Sequence, residues 1–168
     1  MIIVFYFLCL LGLMAYVAYR QLSVTAPLQM KRAGVMLVIK DGLILAISRR
    51  HNKEIFGLPG GKYDEEFDID VMDTAIRETR EETRVNVKDA AFIYERVELG
   101  DGPDGVDFYS TTYYALEWDG EPTNSEEGVV TWLTAKELTD TNAAFGDYNR
   151  KMLDAFKQQF PDVKLTGE

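Results

Sequence analysis

The sequence has very little cysteine and very little histidine. Its 168 residues include one cysteine, Cys9, and one histidine, His51. A lone cysteine excludes an intrachain disulfide and a cysteine-rich zinc site, and a lone histidine argues against zinc sites of the other familiar kinds. Any metal ion bound by this chain is therefore expected to have oxygen ligands.

Positive charge is also scarce. The chain has 18 lysine and arginine residues against 28 aspartate and glutamate residues, a formal net charge of −10. Because nucleic-acid binding draws its affinity from lysine and arginine side chains at the phosphates, we expect no nucleic-acid partner. A phosphorylated small molecule is compatible with this charge when a metal ion mediates its binding.

The first 19 residues, MIIVFYFLCLLGLMAYVAY, carry no charged side chain. As a helix they would span roughly 28 Å, close to the hydrocarbon thickness of a bilayer, and we predict a transmembrane helix at residues 1–19. No basic leader precedes the run and no clear cleavage site follows it, which favours an anchor over a signal peptide. Because Arg20, Lys31 and Arg32 follow the run, the positive-inside rule places the rest of the chain in the cytoplasm.

Met30 offers an alternative start. Translation from MKRAGVMLVI would give a soluble cytoplasmic protein without the anchor. Residues 20–30 have no helical apolar stripe and are predicted to form a linker, which leaves one domain at residues 31–168. The sequence does not indicate an oligomeric state.

The domain alternates between strand and helix patterns. Asp41-Gly42 predicts a hairpin turn between the first two strands. The periodicity predicts strands at 33–39, 43–49, 87–99, 106–118 and 128–133, and helices at 70–83, 134–138 and 145–160. This mixture predicts the α/β class, as an α+β sandwich with a mixed sheet flanked by helices.

The first predicted helix of the domain crowds like charges together. Glu78, Glu81 and Glu82 occupy positions i, i+3 and i+4, which lie on one face of a helix. A hard cation such as Mg²⁺ or Mn²⁺ would relieve their repulsion and prefers such oxygen ligands. Arg77 is placed to orient the glutamates, and Gly60-Gly61 would let the preceding loop approach the helix without a Cβ. Asp70 is the expected N-cap of the helix.

The stretch from Gly60 to Val85 resembles the Nudix box of MutT-like hydrolases. That box reads glycine, five residues, glutamate, seven residues, Arg-Glu, an aliphatic residue, any residue, Glu-Glu, any residue, glycine and an aliphatic residue. The matching positions are Gly61, Arg77, Glu78, Glu81, Glu82 and Val85. With the strand pattern around it, the resemblance covers residues 31–160 and implies a Nudix-type mixed sheet flanked by helices.

The chain departs from the box in its loop and at the end of its helix. The loop is two residues longer, so that Ile69 stands where the early glutamate belongs. That glutamate's role passes to an acidic neighbour or is lost, and the candidates are Glu65, Glu66 and Asp68. Arg84 replaces the glycine after the helix, where a left-handed backbone would cost a non-glycine residue about 1 kcal/mol.

The resemblance implies a metal-dependent hydrolase that cleaves a pyrophosphate in a nucleoside diphosphate linked to another group. Mg²⁺ or Mn²⁺ would be bound by Glu78, Glu81 and Glu82. Arg77, Glu81 and Glu82 would belong to the catalytic set. The general base would be Glu82 or a glutamate of the loop NSEEGVVTW, where Glu127 is preferred to Glu126.

Substrate recognition is expected from two places in the sequence. Gly60, Gly61 and Lys62 would form the approach to the phosphates, and the segment FGDYN is similar to the base-reading segment of MutT-type members. Phe145 and Asn149 are therefore candidate nucleoside-binding residues, with helix capping as the alternative role of the asparagine.

This segment places nucleoside triphosphates, including oxidised dGTP, narrowly ahead of ADP-ribose and dinucleoside polyphosphates as substrates. The competing hypothesis is a membrane-tethered module that binds a nucleotide without cleaving it. Action on RNA ends is disfavoured by the acidic net charge.

Overall fold

The computed structural model describes residues 30–98, 108–140 and 145–167. Eight strands and three helices follow one another in these residues. The strands are β1 (Lys31–Leu37), β2 (Ile39–Lys40), β3 (Leu43–Arg49), β4 (Asn52–Gly57), β5 (Gly60–Lys62), β6 (Asn86–Glu98), β7 (Phe108–Asp119) and β8 (Val130–Leu133). The helices are α1 (Val71–Thr83), α2 (Ala135–Thr139) and α3 (Gly146–Gln159).

The strands form two sheets, and one continuous segment of the chain contributes a strand to each. The first sheet has the order β5-β1-β7-β6 and is mixed, because β1 runs parallel to β7 and antiparallel to β5. In the second sheet β3 pairs with β2, β4 and β8. The chain passes from the first sheet to the second between β1 and β2, at Val38. The predicted mixed α+β architecture is therefore confirmed.

Helices α1 and α3 cover the first sheet with two separate apolar clusters. Neighbouring residues of a strand point to opposite faces. Met36 accordingly packs in the cluster that includes Ala75 of α1, and Leu37 packs in the cluster that includes Phe156 of α3. This alternation along β1 fixes where α1 lies, and α1 carries the acidic residues.

The predicted hairpin is present, and two strands were not predicted. Asp41 and Gly42 have φ angles of 53° and 79°, as a two-residue turn between antiparallel strands requires. Residues 50–69, for which neither a strand nor a helix was predicted, contain β4, which pairs with β3, and β5, which pairs with β1. These strands form by backbone pairing with residues of other strands, and the local sequence pattern gives no signal of that pairing.

The predicted transmembrane helix at 1–19 lies outside the described residues, as does the predicted linker apart from Met30. Within the part of the chain that the structure describes, no helix is long and apolar enough to cross a membrane.

The end of α1 has the conformation that the sequence predicts. Arg84 follows the last helical residue with φ 68° and ψ 11°, and its N–H donates to the carbonyl oxygen of Arg80 at 3.0 Å. This left-handed position is the one at which glycine is the common residue.

Replacing Arg84 by glycine is expected to raise the free energy of unfolding by about 1 kcal/mol, because glycine adopts this conformation without a Cβ clash. The same substitution at Arg80, which is exposed and inside α1, is the matched control and is expected to lower that free energy by about 1 kcal/mol. Urea denaturation followed by circular dichroism measures both. A loss of stability in both variants would show that the left-handed backbone imposes no cost on Arg84.

Candidate active site

Helix α1 is fixed at its start by Asp70. The carboxylate of Asp70 accepts hydrogen bonds from the backbone N–H groups of Met72 and Asp73, at 2.8 and 3.0 Å. The predicted N-cap is therefore confirmed. Since the start and end of the helix are both set, the sides on which Glu78, Glu81 and Glu82 project are set as well.

The glycine pair brings the backbone of β5 directly against α1. The N–H of Gly60 donates to Oε2 of Glu82 at 2.9 Å. A Cβ at Gly61 would overlap the carboxyl group of Glu78, and a Cβ at Gly60 would lie 2.8 Å from the Cα of Val35. At Gly60 the crowding atoms are backbone atoms of β1, so only glycine fits there, and the Gly60 N–H holds a carboxylate of α1.

Arg77 connects α1 to the loop before it. Its guanidinium makes a bidentate pair with Asp68, with N–O distances of 2.8 and 2.9 Å, and also donates to Glu78 at 2.8 Å and to Glu81 at 3.1 Å. The pKa of Asp68 is lowered from 3.8 to about 2, chiefly by its hydrogen bonds from Arg77. Pairing with Asp68 in turn raises the pKa of Arg77 above its usual range. Arg77 therefore remains charged and orients two glutamates.

The longer loop brings Asp68, one of the three candidates for the role of the early glutamate, against Arg77. It is the acidic residue of the three candidates that contacts Arg77, and it is buried with further hydrogen bonds from Thr74 Oγ1 and from the backbone N–H of Asp64. Ile69, which stands at the box position, is 91% exposed. The longer loop thus turns Ile69 outward and Asp68 inward.

Glu78 and Glu82 face a crowded, partly desolvated place. The pKa of Glu82 is raised to about 7, chiefly by burial and also by the neighbouring charges of Glu78 and Glu127, against the lowering effect of the Gly60 N–H. Burial also raises the pKa of Glu78. Like charges that are brought together out of water disfavour their own ionised forms. Glu81 differs, because its side chain is 52% exposed and lies on the Arg77 side.

The loop before β8 brings a further carboxylate to this place. Glu127 lies close enough to raise the pKa of both Glu78 and Glu82. Its backbone carbonyl accepts a hydrogen bond from Lys53 Nζ at 2.7 Å, and the loop is held to β3 through Ser48, which bonds Val129 in both directions. These contacts hold the loop that carries Glu127, and the side chain of Glu127 is exposed.

The residues present fit a hard divalent cation, although they are not a complete cage. Within the described ranges, no three acidic, histidine or cysteine side chains come together as a ready-made metal site. Mg²⁺ commonly takes one or two carboxylates and completes its shell with water and phosphate oxygens. The space at Gly61 is taken up by the carboxyl group of Glu78, which a Cβ would overlap. The pKa values of Glu78 and Glu82 are raised first by burial and also by the like charges around them, and a cation would offset both effects.

Three predicted substrate residues remain, and they are Lys62, Phe145 and Asn149. Lys62 lines a cleft together with Glu78 and Glu81. Phe145 is exposed, and the guanidinium of Arg49 lies 5.4 Å from its ring centroid.

Asn149 has a different environment from the one predicted. It is 3% exposed, and its Nδ2 donates to the carbonyl oxygen of Leu138 at 3.1 Å, which joins α3 to α2. These contacts favour a structural role for Asn149 over base reading, because the amide is buried and already bonded.

Sequence reasoning missed Arg49, whose positive charge lowers the pKa of Glu82 against the effect of burial. It stands at the end of β3, and its proximity to α1 depends on how the two sheets pack. The pair of arginines in "ISRR" was the available signal, but nothing local assigns either residue to the site.

Comparisons with known proteins agree with this geometry. A family model described as NUDIX domain matches residues 29–156. A MutT-like protein of Streptomyces ambofaciens is 29% identical over 155 residues, which cover 90% of this chain and 93% of that protein.

Two solved structures show the same fold. The MutT NUDIX hydrolase of Burkholderia pseudomallei has a TM-score of 0.60 at 25% identity and covers 76% of this chain and 98% of its own. The NUDIX domain of Shewanella oneidensis NrtR, solved with ADP ribose, has a TM-score of 0.62 at 17% identity and covers 82% and 92%. The latter likeness concerns the fold alone.

Replacing Asp68 by asparagine is expected to lower the free energy of unfolding at pH 7 by about 2 kcal/mol, since each pKa unit corresponds to about 1.4 kcal/mol and the Asp68 pKa falls from 3.8 to about 2. In the wild-type chain this contribution is fully present above pH 4 and is lost as the pH falls through 2. Asp89→Asn, an exposed change on β6, is the control. Thermal denaturation between pH 2 and pH 7 measures both, and the same acid-induced loss in Asp68→Asn as in wild type would show that the pair does not stabilise the fold.

Proposed function

The chain belongs to the NUDIX family of hydrolases, whose members cleave pyrophosphate bonds in derivatives of nucleoside diphosphates, and we propose that it does so at the carboxylates of α1 and the β8 loop. The observation that carries this proposal is the partial burial of Glu78 and Glu82 against the glycine pair of β5, with the charge of the exposed Glu127 nearby. Such crowding is costly in a purely structural site. A metal ion with bound pyrophosphate would offset the repulsion.

Glu78 and Glu82 would hold Mg²⁺ or Mn²⁺, with Glu81 as a further ligand from the exposed side. When bound, the metal would neutralise phosphate oxygens and lower the pKa of the attacking water. Arg77 supports this arrangement because it donates to both Glu78 and Glu81. Gly60 supports it because its N–H fixes one oxygen of Glu82.

Glu127 is the proposed general base. It lies on a different element from the two half-buried glutamates and its charge acts on both, and its loop is fixed to β3 and to Lys53. Glu82, the other candidate, already accepts a hydrogen bond from the backbone of Gly60 and is better suited to hold a metal ion. A base on a separate loop would take a proton from water without giving up a metal ligand.

The proposed substrates are nucleoside triphosphates, ADP-ribose and dinucleoside polyphosphates. The preference for triphosphates depended on Asn149 as a base reader, and the buried bond from Asn149 to Leu138 removes that support. Phe145, exposed beside Arg49, is still a candidate to contact a base. The pyrophosphate chemistry therefore supports the substrate class. A direct assay is needed to identify the nucleoside.

The proposal predicts turnover that depends on Glu82. The full-length chain is incubated with Mg²⁺ and dGTP, 8-oxo-dGTP, ADP-ribose, NADH or diadenosine polyphosphates, and the products are identified by mass. Glu82→Gln is expected to lower kcat at least about 100-fold, because a ligand of the proposed metal is lost. Glu117→Gln, which removes an exposed carboxylate on β7, is expected to leave kcat unchanged. Nucleotide binding without turnover of any substrate would instead support a binding module.

The predicted membrane anchor belongs to the same proposal. Residues 1–19 would hold the domain at the cytoplasmic face of a membrane. In cell fractionation, the full chain is expected in the membrane pellet after carbonate washing, and a chain started at Met30 is expected in the supernatant. The same distribution for both chains would reject the anchor.

A further inference from the structure

An open cleft of about 1010 Å³ runs between α1 and the edge of the first sheet. The α1 wall is acidic and includes Glu78 and Glu81, both bonded to Arg77. The sheet wall is basic, because Lys31, Arg32 and Lys62 line it, and the loop after β5 adds the acidic residues Asp64 and Glu65. A cleft with carboxylates on one wall and cations on the other suits a ligand that carries both a metal ion and further phosphate oxygens.

Strand pairing holds two of these cations in place. Lys31 of β1 lies opposite Phe108 of β7, and Lys62 of β5 lies opposite Ala33 of β1. The two ammonium nitrogens lie 6.0 and 5.5 Å from the ring centroid of Phe108. The pairing of the strands therefore brings the ammonium groups of Lys31 and Lys62 close to the same Phe108 ring.

The third cation is packed against an aromatic ring. The guanidinium of Arg32 lies 4.7 Å from the ring centroid of Tyr63. The backbone N–H of Tyr63 donates to the carbonyl oxygen of Arg32 at 2.9 Å, which fixes the two residues together. An arginine that rests on an aromatic face keeps a planar set of donors suited to a phosphate.

The loop that is longer than the family pattern adds an aromatic residue to the cleft. Phe67 is 73% exposed and lines the cleft. Its position is fixed, because the N–H groups of Phe67 and Asp68 both donate to the carbonyl oxygen of Asp64 and the Asp68 side chain is buried against Arg77. An exposed ring on a fixed loop is a surface on which a planar base can stack.

We propose that this cleft binds a phosphorylated nucleoside part of the substrate, with the phosphate at Lys31, Arg32 and Lys62 and the base against Phe67. The inference rests on the proposed function and deepens it. Lys62 directly follows Gly61, against which Glu78 packs, so a pyrophosphate at Glu78 lies beside the basic wall. In a chain of net charge −10, these cations give an anion a local attraction.

The test is equilibrium binding by the full-length chain with chelator present, so that no turnover occurs. The probes are ADP, inorganic pyrophosphate and adenosine, and calorimetry measures their affinities. We expect ADP to bind more tightly than pyrophosphate, and adenosine to bind least. Arg32→Gln and Lys62→Gln are each expected to weaken the binding of ADP and pyrophosphate about tenfold, whereas Phe67→Ser weakens the binding of ADP alone.

Lys88→Gln is the matched control, since Lys88 is an exposed lysine paired with Asp119 on another part of the first sheet. It is expected to leave all three affinities unchanged. The proposal is overturned if wild-type protein binds neither ADP nor pyrophosphate at millimolar concentration, or if the Arg32 and Lys62 variants bind as wild type does. Loss of binding on Arg49→Gln alone would place the ligand beside Phe145 instead.

Because no metal and no turnover enter this measurement, its result is independent of the proposed hydrolysis. A chain that cleaves every substrate offered can still fail to bind ADP in this cleft. A chain that cleaves none can bind it.

Discussion

The bidentate pair between Arg77 and Asp68 is the interaction on which the site depends. Asp68 is buried, and the charge of its carboxylate is balanced by Arg77 at 2.8 and 2.9 Å. The same guanidinium donates to Glu78 and Glu81. One arginine therefore connects the loop before α1 to two glutamates of the helix. Removing one partner of such an ion pair destabilises the fold, because the buried charge of the other is left unpaired. The longer loop is accommodated because it places Asp68, and not the residue at the box position, against Arg77.

With the helix fixed in this way, the glycine pair and the β8 loop complete the site. Gly60 donates to Glu82, Gly61 leaves room for the carboxyl group of Glu78, and Glu127 of the loop before β8 adds a nearby negative charge. The consequence is a set of carboxylates whose pKa values are raised by burial and mutual repulsion. This is an arrangement that favours the binding of a cation, and it explains why so much negative charge is concentrated in one loop and one helix.

Much of this arrangement follows from local sequence. The Asp70 cap, the Asp41-Gly42 turn and the left-handed Arg84 each depend on neighbouring residues, and each was predictable. The approach of Gly61 to Glu78 was expected from the glycine pair, although the two residues are distant in sequence. Strands β4 and β5 were not, because their partners are distant in sequence. The choice of Asp68 among three acidic residues, and the burial of Asn149 against Leu138, depend on packing between elements. A motif gives the residue types, but packing decides which of them reach the site.

The central claim is that Glu78 and Glu82 bind a divalent cation, and direct titration with Mn²⁺ tests it most closely. Electron paramagnetic resonance of the free ion measures binding to the full-length wild-type chain and to its Glu78→Gln, Glu82→Gln and Glu117→Gln variants. The account predicts saturable binding by the wild type and by Glu117→Gln, and binding weakened at least about tenfold in the other two. Equal Mn²⁺ affinity in all four proteins would contradict it.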